Sequence, residues 1–178
     1  FVTNPGSAGR AAILADVADI DPTNFGGVNL VEQMTGELGD LTTNPYALGL
    51  LVLGLESSEA EVPQNVLDAL LATQEQAGSF GYTGFGTDLD ATAMAVQALA
   101  SIDDEPAADA ALGRGLDWLV ANQCTATSEA CPEVGAYWGS YSPANTAGLV
   151  IPALADADID TTEQLAWLVG QQLPDGSF

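Results

Sequence analysis

The 178-residue sequence predicts an all-α fold built from about four helical hairpins. Three observations support this prediction. A glutamine-glycine-aromatic motif recurs along the chain, nearly uncharged segments alternate with amphipathic ones, and no run of alternating β-branched residues exceeds a few positions. Hydrophobic residues make up 47% of the chain, so it contains enough apolar side chains to bury a core. Its length is typical of a single domain, which we place at residues 1–178.

The recurring motif marks the end of the second helix of each predicted hairpin. ALLATQEQAGSF (69–80) and AWLVGQQLPDGSF (166–178) both place a glutamine four residues before a glycine and six before a phenylalanine. The middle copy, RGLDWLVANQ (114–123), reaches its GAYW only after eight inserted residues. LVEQMTG (30–36) is a degraded fourth copy. These copies predict hairpins at approximately 4–40, 41–80, 86–138 and 142–178.

The first helix of each hairpin is predicted to be buried on all sides. Four segments open on a polar residue and continue into alanine, leucine and glycine: TNPGSAGRAAILADV, TNPYALGLLVLGL, TDLDATAMAVQALA and SPANTAGLVIPALA. Asn4, Asn44, Asp90 and Asn145 take comparable places, which predicts N-cap or first-turn residues. A helix that is apolar all round is surrounded by protein. We therefore expect these segments to form an inner layer.

The alternating segments, roughly 24–38, 63–76, 107–123 and 161–172, keep one polar face and are predicted outer helices. Stacked hairpins form a solenoid, which closes into a ring when the rotation per repeat suffices. Closure usually takes more than four hairpins, so an open arc is the alternative. The sequence opens just before an inner helix and ends on the phenylalanine of a motif, so we expect a longer parent chain.

Charge and composition exclude several functions. Two basic residues, Arg10 and Arg114, stand against 25 acidic ones, which gives a net charge of −23. Such a chain lacks the cations needed to bind nucleic acid or an anionic membrane surface. With no histidine and only two cysteines, it also lacks histidine-based acid-base catalysis and the ligands of nearly every zinc site. We expect no metal and no resident cofactor.

The two cysteines, Cys124 and Cys131, enclose six residues. A local disulfide is the predicted pairing, which indicates an extracytoplasmic location, either secreted or at the cell surface. Two free thiols in a cytosolic loop are the alternative. The uncharged, leucine-rich stretch 41–55 has 15 residues. That is shorter than the roughly 20 residues of a membrane-spanning helix, so no span is predicted.

Arg114-Gly115, Trp118-Leu119, Gln123 and the following glycine-aromatic turn, together with AWLVGQQLPDGSF, resemble the glutamine-tryptophan repeat of squalene and oxidosqualene cyclases. That repeat belongs to the α/α-toroid superfamily, which includes protein prenyltransferase β subunits, complement thioester domains and the helical domain of vitamin B12 carriers. The resemblance covers nearly the whole chain and implies an α/α toroid or open arc with inner and outer helix layers. It also implies structural roles: glutamine ties the helix end to the next turn, glycine allows the turn, and the aromatic residue packs beneath it.

Within that superfamily, two activities are excluded by the residues present. The chain has no histidine for the zinc site of a prenyltransferase, and neither cysteine begins the CGEQ-type sequence of a thioester domain. DLDATA (88–93) is similar to the aspartate-rich motif of class II terpene cyclases, which implies Asp90 as general acid with Asp88 beside it. Ala91 stands where that family often has a second acid, and Asp90 is also explained as a capping residue. Tyr46 is nearly the only aromatic side chain in the inner helices.

A non-catalytic binding module is the interpretation we favour. Two loops, FGYTGFGTD (80–88) and GAYWGSYSPAN (135–145), are rich in aromatics and glycine, which is typical of a ligand-binding rim. The resemblance to B12 carriers implies a small hydrophobic or corrinoid-like ligand, with cobalamin as one possibility, or a protein partner. A structural cell-surface scaffold remains open, as does a purely packing role for Phe80, Trp138 and Phe178. The predicted ligand-binding residues are Tyr46, Tyr82, Phe85, Asp88, Asp90, Tyr141 and Asn145.

Overall fold

The computed structural model describes residues 2–82, 84–129 and 131–178, and these residues are mostly helical, as predicted. Strands β1 (Gly81–Tyr82) and β2 (Gly86–Thr87) form a short antiparallel hairpin in which Gly81 faces Thr87. Short 3-10 turns span Pro22–Asn24 and Gly39–Thr43. The helices of the described residues are α1 (Pro5–Val17), α2 (Leu30–Met34), α3 (Pro45–Ser57), α4 (Gln64–Ala72), α5 (Leu89–Ala100), α6 (Pro106–Ala121), α7 (Pro143–Ala155) and α8 (Thr162–Gly170).

Side-chain caps and prolines fix where the odd-numbered helices begin. The side chains of Asn4 and Asn44 accept hydrogen bonds from the third backbone N–H of α1 and α3, and a proline follows each cap. Asp88, and not Asp90, takes this place in α5, and α7 begins after Ser142. Asp90 and Asn145 lie in the first turns of α5 and α7, as one form of the prediction has it, whereas the N-cap places of these two helices belong to Asp88 and Ser142.

The odd-numbered helices form a row in which α1 packs on α3, α3 on α5 and α5 on α7. Glycine permits a very close approach between α1 and α3, since a Cβ atom at Gly9 would lie 2.7 Å from the Cα atom of Leu51. Gly6 similarly faces Ala47. The later contact residue in α1 faces the later contact residue in α3, so the two helices run in the same direction. Their N-terminal ends consequently lie at one end of the row.

The even-numbered helices pack against the row, each on the helix that precedes it. One apolar cluster joins α1 to α6 and has Leu30, Leu48 and Leu55 among its fully buried members. A second cluster joins α5 to α8 around Trp138. Among the described residues, no helix has both the length and the apolar character that crossing a membrane requires.

The glutamine-glycine-aromatic motif has the local roles that the resemblance implies. The Gln74 side-chain amide donates to the carbonyl of Gly78 at 3.0 Å and to that of Ala111 in α6 at 2.8 Å. Arg114 of α6 in turn donates to the Gln74 side-chain oxygen. Gly78 has a φ of +101°, which an L-residue side chain rarely permits. Phe80 is fully buried, so its predicted packing role is confirmed.

The final copy of the motif departs from this prediction in its aromatic residue. The Gln172 amide donates to the Gly176 carbonyl at 2.8 Å, as in the first copy. Phe178, however, is 63% exposed. The predicted packing role of Phe178 is therefore wrong in this structure, because no described helix lies over it as α5 and α6 lie over Phe80.

The eight inserted residues of the middle copy form a disulfide-closed loop. Cys124 and Cys131 are bonded, so the predicted disulfide is confirmed and the free-thiol alternative is excluded. The loop is tied to the chain beyond it, because the Cys124 N–H donates to the Tyr137 carbonyl at 2.9 Å. Trp138 is fully buried and its indole N–H donates to the Leu119 carbonyl at 2.7 Å. Its predicted packing role is confirmed despite the insertion.

Candidate functional site

A cleft of about 660 Å³ lies where the N-terminal ends of α5 and α7 meet the disulfide loop. Residues 87–90 supply one wall, residues between 122 and 128 together with Cys131 contribute a second, and residues 139–142 form a third. Trp118 and Ala121 of α6 and Thr146 of α7 complete the lining. We call this space the aspartate cleft, because Asp88 and Asp90 are the carboxylates that line it.

Asp90 connects α5 to α7 across one side of the aspartate cleft. As the second residue of α5 it reaches the first turn of α7, where its Oδ2 accepts a hydrogen bond from the Asn145 amide at 2.9 Å. Its Oδ1 accepts from the Thr146 hydroxyl at 2.6 Å, and that hydroxyl lies 2.7 Å from the Ser140 hydroxyl. Asp90 is therefore a hydrogen-bond acceptor that holds two helices together. A general acid would instead have to present a proton to a substrate.

Asp88 and Tyr82 extend this polar group toward α3. The Asp88 carboxylate caps α5 by accepting the Ala91 N–H at 2.7 Å. Burial of the half-buried Tyr82 raises the pKa of its phenol, and the nearby charges of Asp88, Tyr46 and Asp90 raise it further. The Tyr82 phenol therefore stays neutral at neutral pH. The structure thus brings together four of the predicted ligand-binding residues around the start of α5, namely Tyr46, Tyr82, Asp88 and Asp90.

The other predicted residues are distributed around this group. Tyr141 is fully exposed and lines the aspartate cleft. Asn145 does not line the cleft but is connected to it by its hydrogen bond to Asp90. Phe85 stands at the turn between β1 and β2, is 90% exposed, and lies outside the lining of the cleft, as do Tyr46 and Tyr82. The cleft is therefore a smaller and more polar space than an aromatic rim formed by both loops.

Two residues of the site were not identified from the sequence. Thr146 is 1% exposed and Ser140 is half-buried, and both belong to the hydrogen-bond network of Asp90. The sequence does contain a signal for them, because Thr92 and Thr146 are the fourth residues of α5 and α7, and both are buried threonines in mostly apolar helices. The Thr92 hydroxyl accepts the Phe80 N–H at 2.9 Å. A buried hydroxyl at this position thus connects a loop to a helix in both repeats.

The side chains that line the site are mainly hydrogen-bonding groups. In the part of the chain that the structure describes, no group of three or more acidic, histidine or cysteine side chains is placed to hold a metal ion. The aspartate cleft instead offers two carboxylates, several hydroxyls and the rings of Trp118 and Tyr141. Neither arginine belongs to its lining.

Comparisons with known proteins identify no relative of this chain. No family model matches it, and neither a curated protein nor a solved structure does. The resemblance to α/α toroids therefore rests on the chain's own residues.

Proposed function

We propose that this chain is a non-catalytic, extracytoplasmic module of the α/α-toroid type, arranged as an open arc, that binds a small uncharged or cationic ligand in the aspartate cleft. The observation that carries the proposal is the cleft itself. It opens at the shared N-terminal end of α5 and α7, and two of its walls come from the chain that includes the predicted loops. Concave sites with a few converging polar groups are the usual form of a small-molecule site.

The row of parallel helices supports the α/α-toroid part of the proposal. Each odd-numbered helix packs on the next, and each even-numbered helix packs on its predecessor, which is the contact pattern of an inner and an outer layer. Four helix pairs give an arc in this proposal, and its two ends remain apart.

The lining supports a ligand that donates hydrogen bonds. Asp88 and Asp90 are half-buried carboxylates, and no arginine or lysine lines the cleft to pair with an anion. Trp118 and Tyr141 add ring surface for an apolar part of the ligand. A corrinoid such as cobalamin, whose ring carries amide groups, meets these requirements better than a pure hydrocarbon does.

The disulfide supports the extracytoplasmic location. Cys124 and Cys131 are both buried, and disulfides persist mainly in oxidising compartments. The same loop contributes a wall of the aspartate cleft, so oxidation and ligand binding depend on one segment in this proposal.

Calorimetry and thermal unfolding with cobalamin, neutral oligosaccharides and polyisoprenoid alcohols test the proposal. We expect heat and a raised melting temperature with at least one of the first two classes, since a ligand at a hundred times its Kd stabilises a protein by about 2.7 kcal/mol. Ala126→Trp, which places a large ring in the exposed lining, should abolish binding without touching Asp90. Ala107→Trp, at an exposed position of α6 outside the lining, is the matched control.

Two results would contradict the proposal. Absence of heat and of any change in melting temperature across the panel would favour a structural scaffold. Turnover of a squalene-type substrate that is lost in a folded Asp90→Asn variant would instead establish the terpene-cyclase alternative.

A further inference from the structure

A second cleft, of about 540 Å³, borders the Gly139–Ser140 segment, which also lines the aspartate cleft. The disulfide loop contributes Glu129 to this space, the two residues after the loop contribute Pro132 and Glu133, and α8 contributes Trp167. We call it the tryptophan cleft. Its lining shares only Gly139 and Ser140 with the aspartate cleft, so the two spaces can be altered separately.

Two stacked aromatic rings form the floor of the tryptophan cleft. The Tyr137 and Trp167 ring centroids lie 4.8 Å apart with an angle of 13° between the ring planes. Tyr137 is buried and its hydroxyl donates to the Glu133 carbonyl at 2.9 Å, which fixes the orientation of its ring. Trp167 is only half-buried, so part of its ring surface remains open to the cleft.

The electrostatic character of this cleft is one-sided. Glu129 and Glu133 are exposed carboxylates on its wall, and neither arginine of the chain belongs to its lining. The chain as a whole carries a charge of −23, which raises the local concentration of cations at its surface. An anionic ligand is therefore disfavoured in this cleft.

We propose that the tryptophan cleft binds an organic cation, with its ammonium or guanidinium group over the Trp167 ring and close to Glu129 and Glu133. The negative face of an indole ring attracts a cation, and tryptophan is the strongest such ring among the side chains. Two carboxylates at the rim add direct charge pairing. The prolines at 132 and 143 provide rigid apolar walls for the alkyl groups of the cation.

A simple metal ion or a neutral apolar molecule does not account for this combination of residues. The described residues do not group three acidic ligands, as a metal ion bound by side chains would require. An apolar ligand would not use the two carboxylates. A cation with apolar substituents uses the ring, the prolines and the carboxylates together, and it can be a free quaternary amine or a lysine or arginine side chain.

Tryptophan fluorescence with tetramethylammonium and choline tests the inference. We expect a saturable change in emission that is lost in Trp167→Phe, since the weaker phenyl ring binds cations less well and the signal at this position disappears. Calorimetry on the same variant should show binding weakened by severalfold. The isosteric alcohol 3,3-dimethylbutan-1-ol has the shape of choline without its charge and should bind at least about tenfold more weakly.

Charge neutralisation provides the matched comparison. Glu129→Gln with Glu133→Gln should weaken choline binding by about fivefold to tenfold, with the loss reduced at high salt. Glu37→Gln with Glu61→Gln removes the same charge from exposed positions outside the lining and should leave binding unchanged. Nα-acetyl-lysine methylamide and its arginine counterpart, titrated in parallel, distinguish a side-chain ligand from a free amine.

The inference would be overturned by equal binding of the neutral alcohol and choline, or by equal effects of the two double variants. Absence of binding by all four cations would overturn it as well. Repeating the choline titration on Ala126→Trp, whose substitution lies in the lining of the aspartate cleft and outside that of the tryptophan cleft, separates binding in the two clefts: choline binding that is lost in this variant would contradict the inference.

Discussion

The turns at residues 74–80 and 172–178 share one motif, yet only the first is built into the core. In both, a glutamine amide donates to the carbonyl of the glycine four residues later, at 3.0 Å and 2.8 Å. The first turn also bonds α6 through Ala111, and its phenylalanine is fully buried. Phe178 is 63% exposed. This difference indicates that the motif specifies the turn, whereas the stability that the turn contributes comes from the helix pair packed over the turn.

The middle copy shows how much change the motif tolerates. Eight inserted residues separate Gln123 from the glycine-aromatic turn, yet Trp138 is as buried as Phe80. Gln123 pairs with Trp138 in the same kind of isolated bridge that joins Gln74 to Phe80. The insertion therefore adds cleft walls on the outside of the turn without displacing its aromatic residue.

The largest effect we expect separates the two phenylalanines. Phe80→Ala removes a fully buried ring and should lower the free energy of unfolding by about 3–5 kcal/mol. Phe178→Ala should change it by less than about 0.5 kcal/mol, because the ring is largely in solvent already. Urea unfolding followed by circular dichroism measures both values.

Phe80→Leu is the control for this comparison, since it keeps an apolar side chain beneath the turn and should lose less than Phe80→Ala. Comparable losses for Phe80→Ala and Phe178→Ala would mean that Phe178 is covered in solution, and the contrast between the two turns would be wrong.

A smaller effect should separate the two glutamines. Gln74→Leu removes two donated hydrogen bonds and the acceptor of Arg114, so we expect a loss of about 1–3 kcal/mol. Gln172→Leu removes one donated bond at an exposed turn, and the expected loss is about 0.5 kcal/mol. The same unfolding assay measures both, and Gln76→Leu, an exposed position in the first turn, is the control. Equal losses at positions 74 and 172 would show that the contact with α6 contributes nothing.

Sequence reasoning identified the elements that repeat. The alternation of apolar and amphipathic segments predicted a mostly helical chain, and the spacing from Gln74 to Phe80 identified a real structural motif, because both depend on local periodicity. The short cysteine spacing likewise predicted the disulfide between Cys124 and Cys131. The exposure of Phe178 was not predictable from the motif, since it depends on what packs over the turn.

The geometry of the candidate site was harder to predict, because its partners are distant in sequence. Asp90 bonds Asn145 and Thr146, which are 55 and 56 positions away, and the N-cap of α5 is Asp88, two residues before it. The tryptophan cleft depends on Trp167 stacking on Tyr137 after the insertion has been folded. No local pattern encodes that contact.

The smallest effect we expect concerns Asp175, which gives the last turn a support that the first lacks. Hydrogen bonds from the Ser177 hydroxyl and backbone N–H lower the pKa of Asp175 from its ordinary value of 3.8, and Ala77 stands at the matching place in the first turn. Because the folded-state pKa is the lower one, this support is present above pH 3.8 and is lost as the pH falls through the folded value. Nuclear magnetic resonance should show the Ser177 amide shifting with a midpoint below 3.8, and Asp175→Ala should abolish the shift. A midpoint at or above 3.8 would mean that the hydrogen bonds do not hold in solution, and the two turns would then be equally unsupported by carboxylates.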